Sequence, residues 1–236
     1  MTGRLIGVGV GPGDPELLTL KAAQRIAAAQ VVAYPAPDTG ESFARSIVAE
    51  RLDGKREIPI VVPMRTDRFP AREIYDRAAA SIREELDAGR DVVVLCEGDP
   101  FFYGSFMYLF ERLALDYETE IVPGVSSLAA CAAALRQPLA SRNDVVTIVP
   151  GPSDDGFVIG ALEGGGPVVF IKVGRHLARL RELIERAGCT GRALYVERAT
   201  LPNQRVARLA EAGATAPYFS MILVAQGEGW RNPNVA

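Results

Sequence analysis

Arg4-Leu5-Ile6-Gly7-Val8-Gly9-Val10-Gly11-Pro12-Gly13-Asp14-Pro15 is the stretch whose reading decides the fold. It opens as a short run rich in Ile and Val, breaks into alternating glycines, and ends in a Pro-Gly-Asp-Pro turn. Such a run reads as a buried strand, and glycines at its end let the backbone turn tightly or approach a ligand. Asp14 is a capping residue type and Pro15 suits a first helical position, so a helix is expected from there. Leu18, Ala22 and Ile26 recur behind it at helical spacing. Strand, glycine turn and helix together open an α/β unit.

The alternation continues along the chain. Strands are expected at Val31 to Tyr34 and Ile58 to Pro63, then an amphipathic helix from Ala71 to Ala88 with Tyr75, Ala79, Ile82 and Leu86 on one face. Asp91 to Cys96 is a continuous apolar strand, as expected when helices cover both faces. It runs into Glu97-Gly98-Asp99-Pro100 and a helix from Gly104 to Leu115. A strand at Glu118 to Val122 turns through Pro123-Gly124-Val125-Ser126-Ser127 into an alanine-rich helix ending near Leu135.

The pattern lapses between Arg136 and Asn143, the best linker candidate, and a second set follows. Its strands are expected at Val145 to Val149, Val168 to Val173, Ala193 to Glu197 and Phe219 to Ala225. A helix carries Leu177, Leu180, Ile184 and Ala187 on one face, and a short helical stretch is expected at Val206 to Ala212. The reading is two α/β domains with mainly parallel sheets, 1–138 and 139–236. The turns at Gly11, Gly98 and Ser126 then fall at the carboxyl ends of strands, where open α/β sheets bind ligands.

Composition removes several functions. The 236 residues carry 26 basic and 29 acidic side chains, a net charge of −3, so no overall basic field suggests a nucleic-acid partner. No apolar run reaches about 18 residues, which argues against a membrane span. Met1-Thr2-Gly3-Arg4 leads straight into a strand with no cleavage site after it, and the cytoplasm is expected. Cys96, Cys131 and Cys189 are odd in number and widely spaced, giving neither a disulfide framework nor a zinc-ligand pair. With His176 the only histidine, a two-histidine metal site is impossible, and a Ser-His triad has one possible centre. His176 reads as a residue near a helix start, and no protein-bound metal is expected.

Two familiar readings of the glycines fail. No register of Gly7, Gly9, Gly11 and Gly13 supplies G-x-G-x-x-G, and the second strand ends Ala33-Tyr34-Pro35 without an acid for a ribose. A phosphate loop needs Gly-Lys-Ser or Gly-Lys-Thr, which the chain lacks.

The ordered set of three turns resembles the class III, or tetrapyrrole-type, S-adenosylmethionine-dependent methyltransferases. The resemblance covers nearly the whole chain. It rests on Gly7 through Ala22, on Glu97-Gly98-Asp99-Pro100-Phe101-Phe102-Tyr103-Gly104, and on Val122-Pro123-Gly124-Val125-Ser126-Ser127. Tyr103-Gly104-Ser105-Phe106-Met107-Tyr108 and Phe170-Ile171-Lys172-Val173-Gly174-Arg175 look most like the branch that methylates precorrin-2 at C(20), giving precorrin-3A on the route to cobalamin. Other tetrapyrrole positions (precorrin-4 C(11), uroporphyrinogen III) and a non-catalytic S-adenosylmethionine-binding module stand as alternatives.

The resemblance implies a homodimer whose protomers fold the cofactor into a cleft between two domains, releasing S-adenosylhomocysteine. It implies largely main-chain cofactor contacts at Pro12, Glu97, Gly98, Asp99, Phe102, Ser126, Ser127, Val173 and Ala225. The loop at Gly11 to Asp14 would then shape a substrate trough rather than hold phosphate. The implied substrate is a tetrapyrrole bearing eight carboxylates, with or without cobalt. An electron-rich bridge carbon can attack a sulfonium methyl directly, so positioning carries most of the catalysis. The carbon must then lose a proton, for which Glu97, Asp99, Tyr103 and Glu197 are candidate acceptors. Arginine matches carboxylate geometry, and Arg65, Lys172, Arg175 and Arg198, with Tyr103, are candidate substrate contacts. Arg68 and Arg72 belong to the same cluster as Arg65.

Overall fold

A computed structural model of the chain describes residues 2–62 and 72–225. Its contacts divide the chain into two compact units, Met1–Ser126 and Ser127–Ala236.

The first unit is built on five strands: β1 (Leu5–Gly9), β2 (Val31–Pro37), β3 (Arg56–Val62), β4 (Val92–Cys96) and β5 (Thr119–Val122). They lie in the order β3-β2-β4-β1-β5, and every pair is parallel. Among the described residues four helices accompany them, α1 (Leu20–Ala28), α2 (Phe43–Ile47), α3 (Arg72–Asp87) and α4 (Phe106–Leu113). Each residue of β1 and β4 is buried, and alternate residues serve opposite faces. Leu5, Val92, Val94 and Cys96 pack with Ile82 and Leu86 of α3 and Phe106, Leu109 and Leu113 of α4. Ile6, Val8, Val93 and Leu95 pack with Ala22 and Ile26 of α1 and Ala44 and Ile47 of α2. Burying each such Val, Leu or Ile contributes roughly 1.5–3 kcal/mol, so the apolar run beginning at Leu5 suits only the centre of a covered sheet.

The helix expected at Pro15 starts later. Asp14 accepts a hydrogen bond from the Glu16 N–H at 2.9 Å, but what it caps is a single 3-10 turn, Pro15–Leu17. Leu18 and Thr19 then run extended, and α1 begins at Leu20 with Thr19 Oγ1 accepting from the Ala22 N–H at 3.1 Å. The extended pair lets Leu18 pack against the α1 side of the core. Helix α2 was not foreseen, since five residues are too few to show a period.

The second unit contains α5 (Ser127–Leu135), β6 (Thr147–Pro150), α6 (Asp155–Glu163), β7 (Val168–Ile171), α7 (Leu177–Arg186), β8 (Ala193–Glu197), β9 (Arg205–Arg208) and β10 (Ser220–Val224). The sheet order is β6-β7-β10-β8-β9. Among the described residues parallel pairing is confined here to β6 and β7; β10 is antiparallel to both β7 and β8, and β8 to β9. The connection from Glu197 to Arg205 is too short for a parallel crossover, so β9 must return antiparallel. That return takes up the start of the stretch expected to be helical: Val206 lies in β9, followed by a 3-10 turn at Leu209–Glu211.

One face of this sheet packs Phe170, Tyr195 and Ile222 against Val158 and Leu162 of α6 and Leu180 and Ile184 of α7. The other packs Val169, Val196, Met221 and Leu223 against Cys131 and Leu135 of α5. Helix α5, assigned from sequence to the first domain, thus covers the second sheet, and the compact units meet at Ser126–Ser127 rather than at the linker.

At the carboxyl edge of the parallel sheet three glycines meet. A methyl group on Gly124 would lie 2.0 Å from Gly98 O and 2.8 Å from Gly9 Cα, and one on Gly9 would lie 2.5 Å from Gly98 O. Backbone fills the space any side chain would need. Gly124→Ala is therefore expected to destabilise the first domain by about 1–3 kcal/mol, whereas Gly160→Ala in α6 meets no atom within 4 Å and needs no positive φ, so it costs nothing. Equal denaturation midpoints for the two variants in urea would refute the packing argument.

Candidate active site

Three loops leave the carboxyl edge of the parallel sheet, after β1, β4 and β5, and main-chain contacts lock them together. The Gly98 N–H donates to Gly11 O at 2.8 Å, and the Gly11 N–H donates back to Gly98 O at 3.3 Å. Both residues take positive φ, 81° for Gly11 and 64° for Gly98, which glycine adopts without strain. The Asp99 carboxylate completes the assembly. Its Oδ1 accepts from the N–H groups of Phe101 (2.9 Å) and Phe102 (3.1 Å), and its Oδ2 from Gly124 (3.1 Å). One carboxylate thus holds the loop after β4 in a turn and ties it to the loop after β5. That is a structural post, and it removes Asp99 from the candidate proton acceptors.

Pro12, Gly98, Phe102 and Ser126 lie half-buried along this edge, and Ser127 opens α5 exposed. No α-helix N-terminus directly follows the glycine loop, because the 3-10 turn intervenes and α1 starts beyond it. The loop therefore lacks the helix N-terminus that cradles phosphate. Half-buried main chain, one aromatic ring and one hydroxyl fit S-adenosylmethionine, whose adenosine and amino-acid parts hydrogen-bond without needing a phosphate site.

Glu97 stands out electrostatically. It follows β4 directly, and among the described residues no hydrogen bond or ion pair reaches its carboxyl. Burial pushes its pKa up to about 7. Tyr103 is 45% exposed, stands edge-on to Phe102 at 5.0 Å, and takes φ 56°, a sparsely populated region for a residue with Cβ.

In the second unit β7 and β8 both run antiparallel to β10, so their carboxyl ends share one edge. Lys172 follows β7 with φ 55° and Arg198 follows β8 with φ 50°. Burial lowers the Lys172 pKa. Arg175 is exposed, and the Val173 side chain is wholly buried in the core, leaving only main chain to offer. Glu197 is buried; Oε2 accepts from Tyr195 Oη at 2.5 Å, and Oε1 from Arg198 Nη1 at 3.1 Å. Both oxygens are occupied by donors, which suits an anchor for Arg198 better than a proton acceptor. Arg65 and Arg68 lie outside the described residues, and Arg72 opens α3.

Ala225 does not join this group. Val224 pairs with Val168 and with Ala193, the first residues of β7 and β8, so Ala225 lies at the opposite edge from Val173. The edges are a strand length apart, about 15 Å. The Ala225 N–H donates to Arg192 O at 3.0 Å, and its carbonyl accepts from Arg192 Nη1 at 3.0 Å. Both main-chain groups are occupied, so the expected cofactor contact there does not fit the geometry. The strand expected from Phe219 begins at Ser220, so Phe219 and Tyr218 precede β10 at the Lys172–Arg198 edge.

His176 closes a 3-10 turn before α7, and burial with the Arg175 and Arg179 charges lowers its pKa. Arg179 is committed to Asp155 and to the carbonyls of Gly151 and Ser153. Among the described residues, no three His, Cys, Asp or Glu side chains gather as a metal site, and no helix is long and apolar enough to cross a membrane.

The family model for Tetrapyrrole (Corrin/Porphyrin) Methylases matches residues 4–213. The chain is 38% identical over 240 residues to a precorrin-2 C(20)-methyltransferase of Sinorhizobium sp, covering 98% of this chain and 97% of that protein. It is 32% identical over 229 residues to the cobalt-precorrin-2 C(20)-methyltransferase of Salmonella typhimurium, covering 95% and 97%. Among solved structures, uroporphyrin-III C-methyltransferase from Thermus thermophilus, complexed with S-adenyl homocysteine, matches with a TM-score of 0.69 and 28% identity over 94% of this chain and 97% of that one. Nearly end-to-end agreement of sequence, together with the three joined loops, places the chain in a family: it belongs to the tetrapyrrole methylases.

Proposed function

We propose that the chain transfers a methyl group from S-adenosylmethionine to the C(20) bridge carbon of precorrin-2, giving precorrin-3A in cobalamin biosynthesis. The observation that carries this reading is the 38% identity to a precorrin-2 C(20)-methyltransferase across almost all of both chains. The same likeness favours the metal-free substrate over the cobalt-bearing one, since the cobalt-precorrin-2 relative stands at 32%. We further read the enzyme as a cytoplasmic homodimer that recognises its tetrapyrrole without nucleic acid or membrane.

S-adenosylmethionine supplies, when bound, an electrophilic sulfonium methyl group. Pro12, Gly98, Phe102, Ser126 and Ser127 hold the cofactor through main chain and hydroxyls, and Asp99 fixes the two loops that carry them. Val173 contributes main chain from the second domain. Arg175, Lys172 and Arg198 hold substrate carboxylates, with Arg65 and Tyr103 as further contacts, and Glu197 sets the Arg198 guanidinium in place. The attacked carbon gains the methyl and must release its proton. Glu97 takes that proton on its carboxylate: a pKa near 7 leaves a substantial ionised fraction at neutral pH while keeping the group basic. Glu197 and Tyr103 remain the other acceptors to test.

The direct test is incubation with S-adenosylmethionine and freshly generated precorrin-2, with and without cobalt. A product one methyl heavier, placed on the bridge carbon by NMR with labelled methyl, is expected with the metal-free substrate. Absence of methylation in both metal states, with cofactor binding confirmed, would remove the precorrin-2 assignment.

For Glu97→Gln, kcat is expected to fall by about 10²–10⁴, with S-adenosylhomocysteine affinity unchanged. The wild-type rate should drop as pH falls through about 7, and that inflection should vanish in the variant. Stability should move the other way. The raised folded pKa means that ionising Glu97 costs stability as pH climbs from the ordinary 4.5 through about 7, so the glutamine variant should melt higher at pH 8 by about 2–4 °C per kcal/mol recovered. An unchanged rate profile would return the role to Tyr103 or Glu197.

A further inference from the structure

We infer that Tyr195, in the core of the second domain, is a positioning residue for substrate: through Glu197 it sets the guanidinium of Arg198. The inference rests on the reading of Arg198 as a carboxylate contact and extends it to a side chain that does not touch the substrate.

The placement follows from strand geometry. Tyr195 and Glu197 stand two apart on β8 and so share one face of the sheet, and Arg198 follows where the strand ends. Tyr195 is 0% exposed and lies in one apolar cluster with Phe170, Leu180 and Ile222, yet its hydroxyl donates to Glu197 Oε2 at 2.5 Å. Glu197 Oε1 accepts from Arg198 Nη1 at 3.1 Å. Three side chains thus link the interior to the strand end. Rival partners are held elsewhere. Register puts Ser220 and Arg205 directly opposite Glu197, on β10 and β9. The Ser220 hydroxyl, however, donates to Pro217 O at 2.6 Å, and Arg205 Nη2 donates to Glu211 O at 2.9 Å. The phenol is left as the interior donor to Glu197. Burial, with the Glu197 hydrogen bond and charge, pushes its pKa up, so it keeps its proton.

A phenol and a carboxylate inside an apolar cluster oppose folding unless paired, and apolar side chains of the same size would fill the space at less cost. What the polar pair adds is direction. With Oε2 tied to the phenol, the carboxylate is oriented and Oε1 is the oxygen left for Arg198. The Arg198 backbone is fixed as well. Its φ is 50°, its N–H donates to Phe219 O at 2.8 Å, and its carbonyl accepts from the Leu201 N–H at 3.0 Å. The side chain remains to be ordered, and the Glu197 contact does that. Among the described residues no other acceptor takes the guanidinium, so its Nε–Nη2 edge stays open to a carboxylate. Ordering a long side chain beforehand lowers the entropy lost when substrate binds.

The test is a double-mutant cycle on steady-state kinetics with precorrin-2, using Tyr195→Phe, Arg198→Ala and both together in the full chain. Tyr195→Phe keeps the ring and removes the hydroxyl. It is expected to raise KM for precorrin-2 about five-fold. The loss in kcat/KM should fall on KM, with S-adenosylhomocysteine affinity, measured by calorimetry, unchanged. Arg198→Ala is expected to raise KM about thirty-fold, and in that background Tyr195→Phe should add nothing. A merely structural tyrosine would lower stability and act additively with Arg198→Ala, so additivity overturns the inference. Should circular dichroism show Tyr195→Phe unfolded, Glu197→Gln replaces it in the same cycle, because it keeps the shape and weakens the hold on Arg198. The layers fail separately. A wild-type chain that leaves precorrin-2 unmethylated removes the reaction reading and the inference built on it. An unchanged KM in Arg198→Ala removes the Arg198 contact and the inference with it. A raised KM there without one in Tyr195→Phe removes the relay alone.

Discussion

The first domain depends on backbone meeting backbone without side chains between. Gly9, Gly98 and Gly124 come from three different strand ends, and their main chains approach so closely that a single Cβ at Gly124 would collide with a carbonyl. Close approach alone would leave peptide groups short of partners; the Gly11–Gly98 pair and the Asp99 carboxylate supply them. A loop edge that is usually the most mobile part of an α/β domain becomes a fixed frame. Rigid positioning is what a reaction driven by alignment of carbon and methyl requires.

The two domains present different chemistry at their edges. The first offers glycine backbone, a half-buried ring and a carboxyl whose burial raises its pKa. The second edge concentrates Lys172, Arg175 and Arg198, and does so through a mixed sheet: the antiparallel return of β10 inserts Ser220 and its preceding aromatics between two parallel strand ends. An all-parallel sheet would have placed the start of β10 at the other edge, away from the cations.

Glu97 illustrates a tension between stability and function. A carboxyl following a fully buried strand, without a partner among the described residues, opposes folding whenever it ionises. Asp99, two residues on, is the opposite case: its oxygens accept three N–H groups, and it stabilises the turn. Neighbouring acids in one motif thus divide into a group suited to proton transfer and one suited to holding the loop, and their surroundings make the difference.

The sequence by itself determined the two α/β regions, the order of the strands and of every helix but the five-residue α2 in the first, and the three glycine-bearing turns at strand ends. Those features rest on local chemistry: apolar runs, periodicity and glycine at tight turns are properties of contiguous residues. It also marked Lys172, Arg175 and Arg198 as ends of strands. Tertiary structure alone decided the rest. The antiparallel returns of β9 and β10, and the transfer of α5 to the second core, follow from pairing and burial between distant segments, which no local pattern encodes. The same pairing carried Ala225 to the edge opposite Val173 and brought Tyr218 and Phe219 to the cationic one. A strand's direction in its sheet fixes which end of it meets the ligand, and direction is settled by partners far away in the chain.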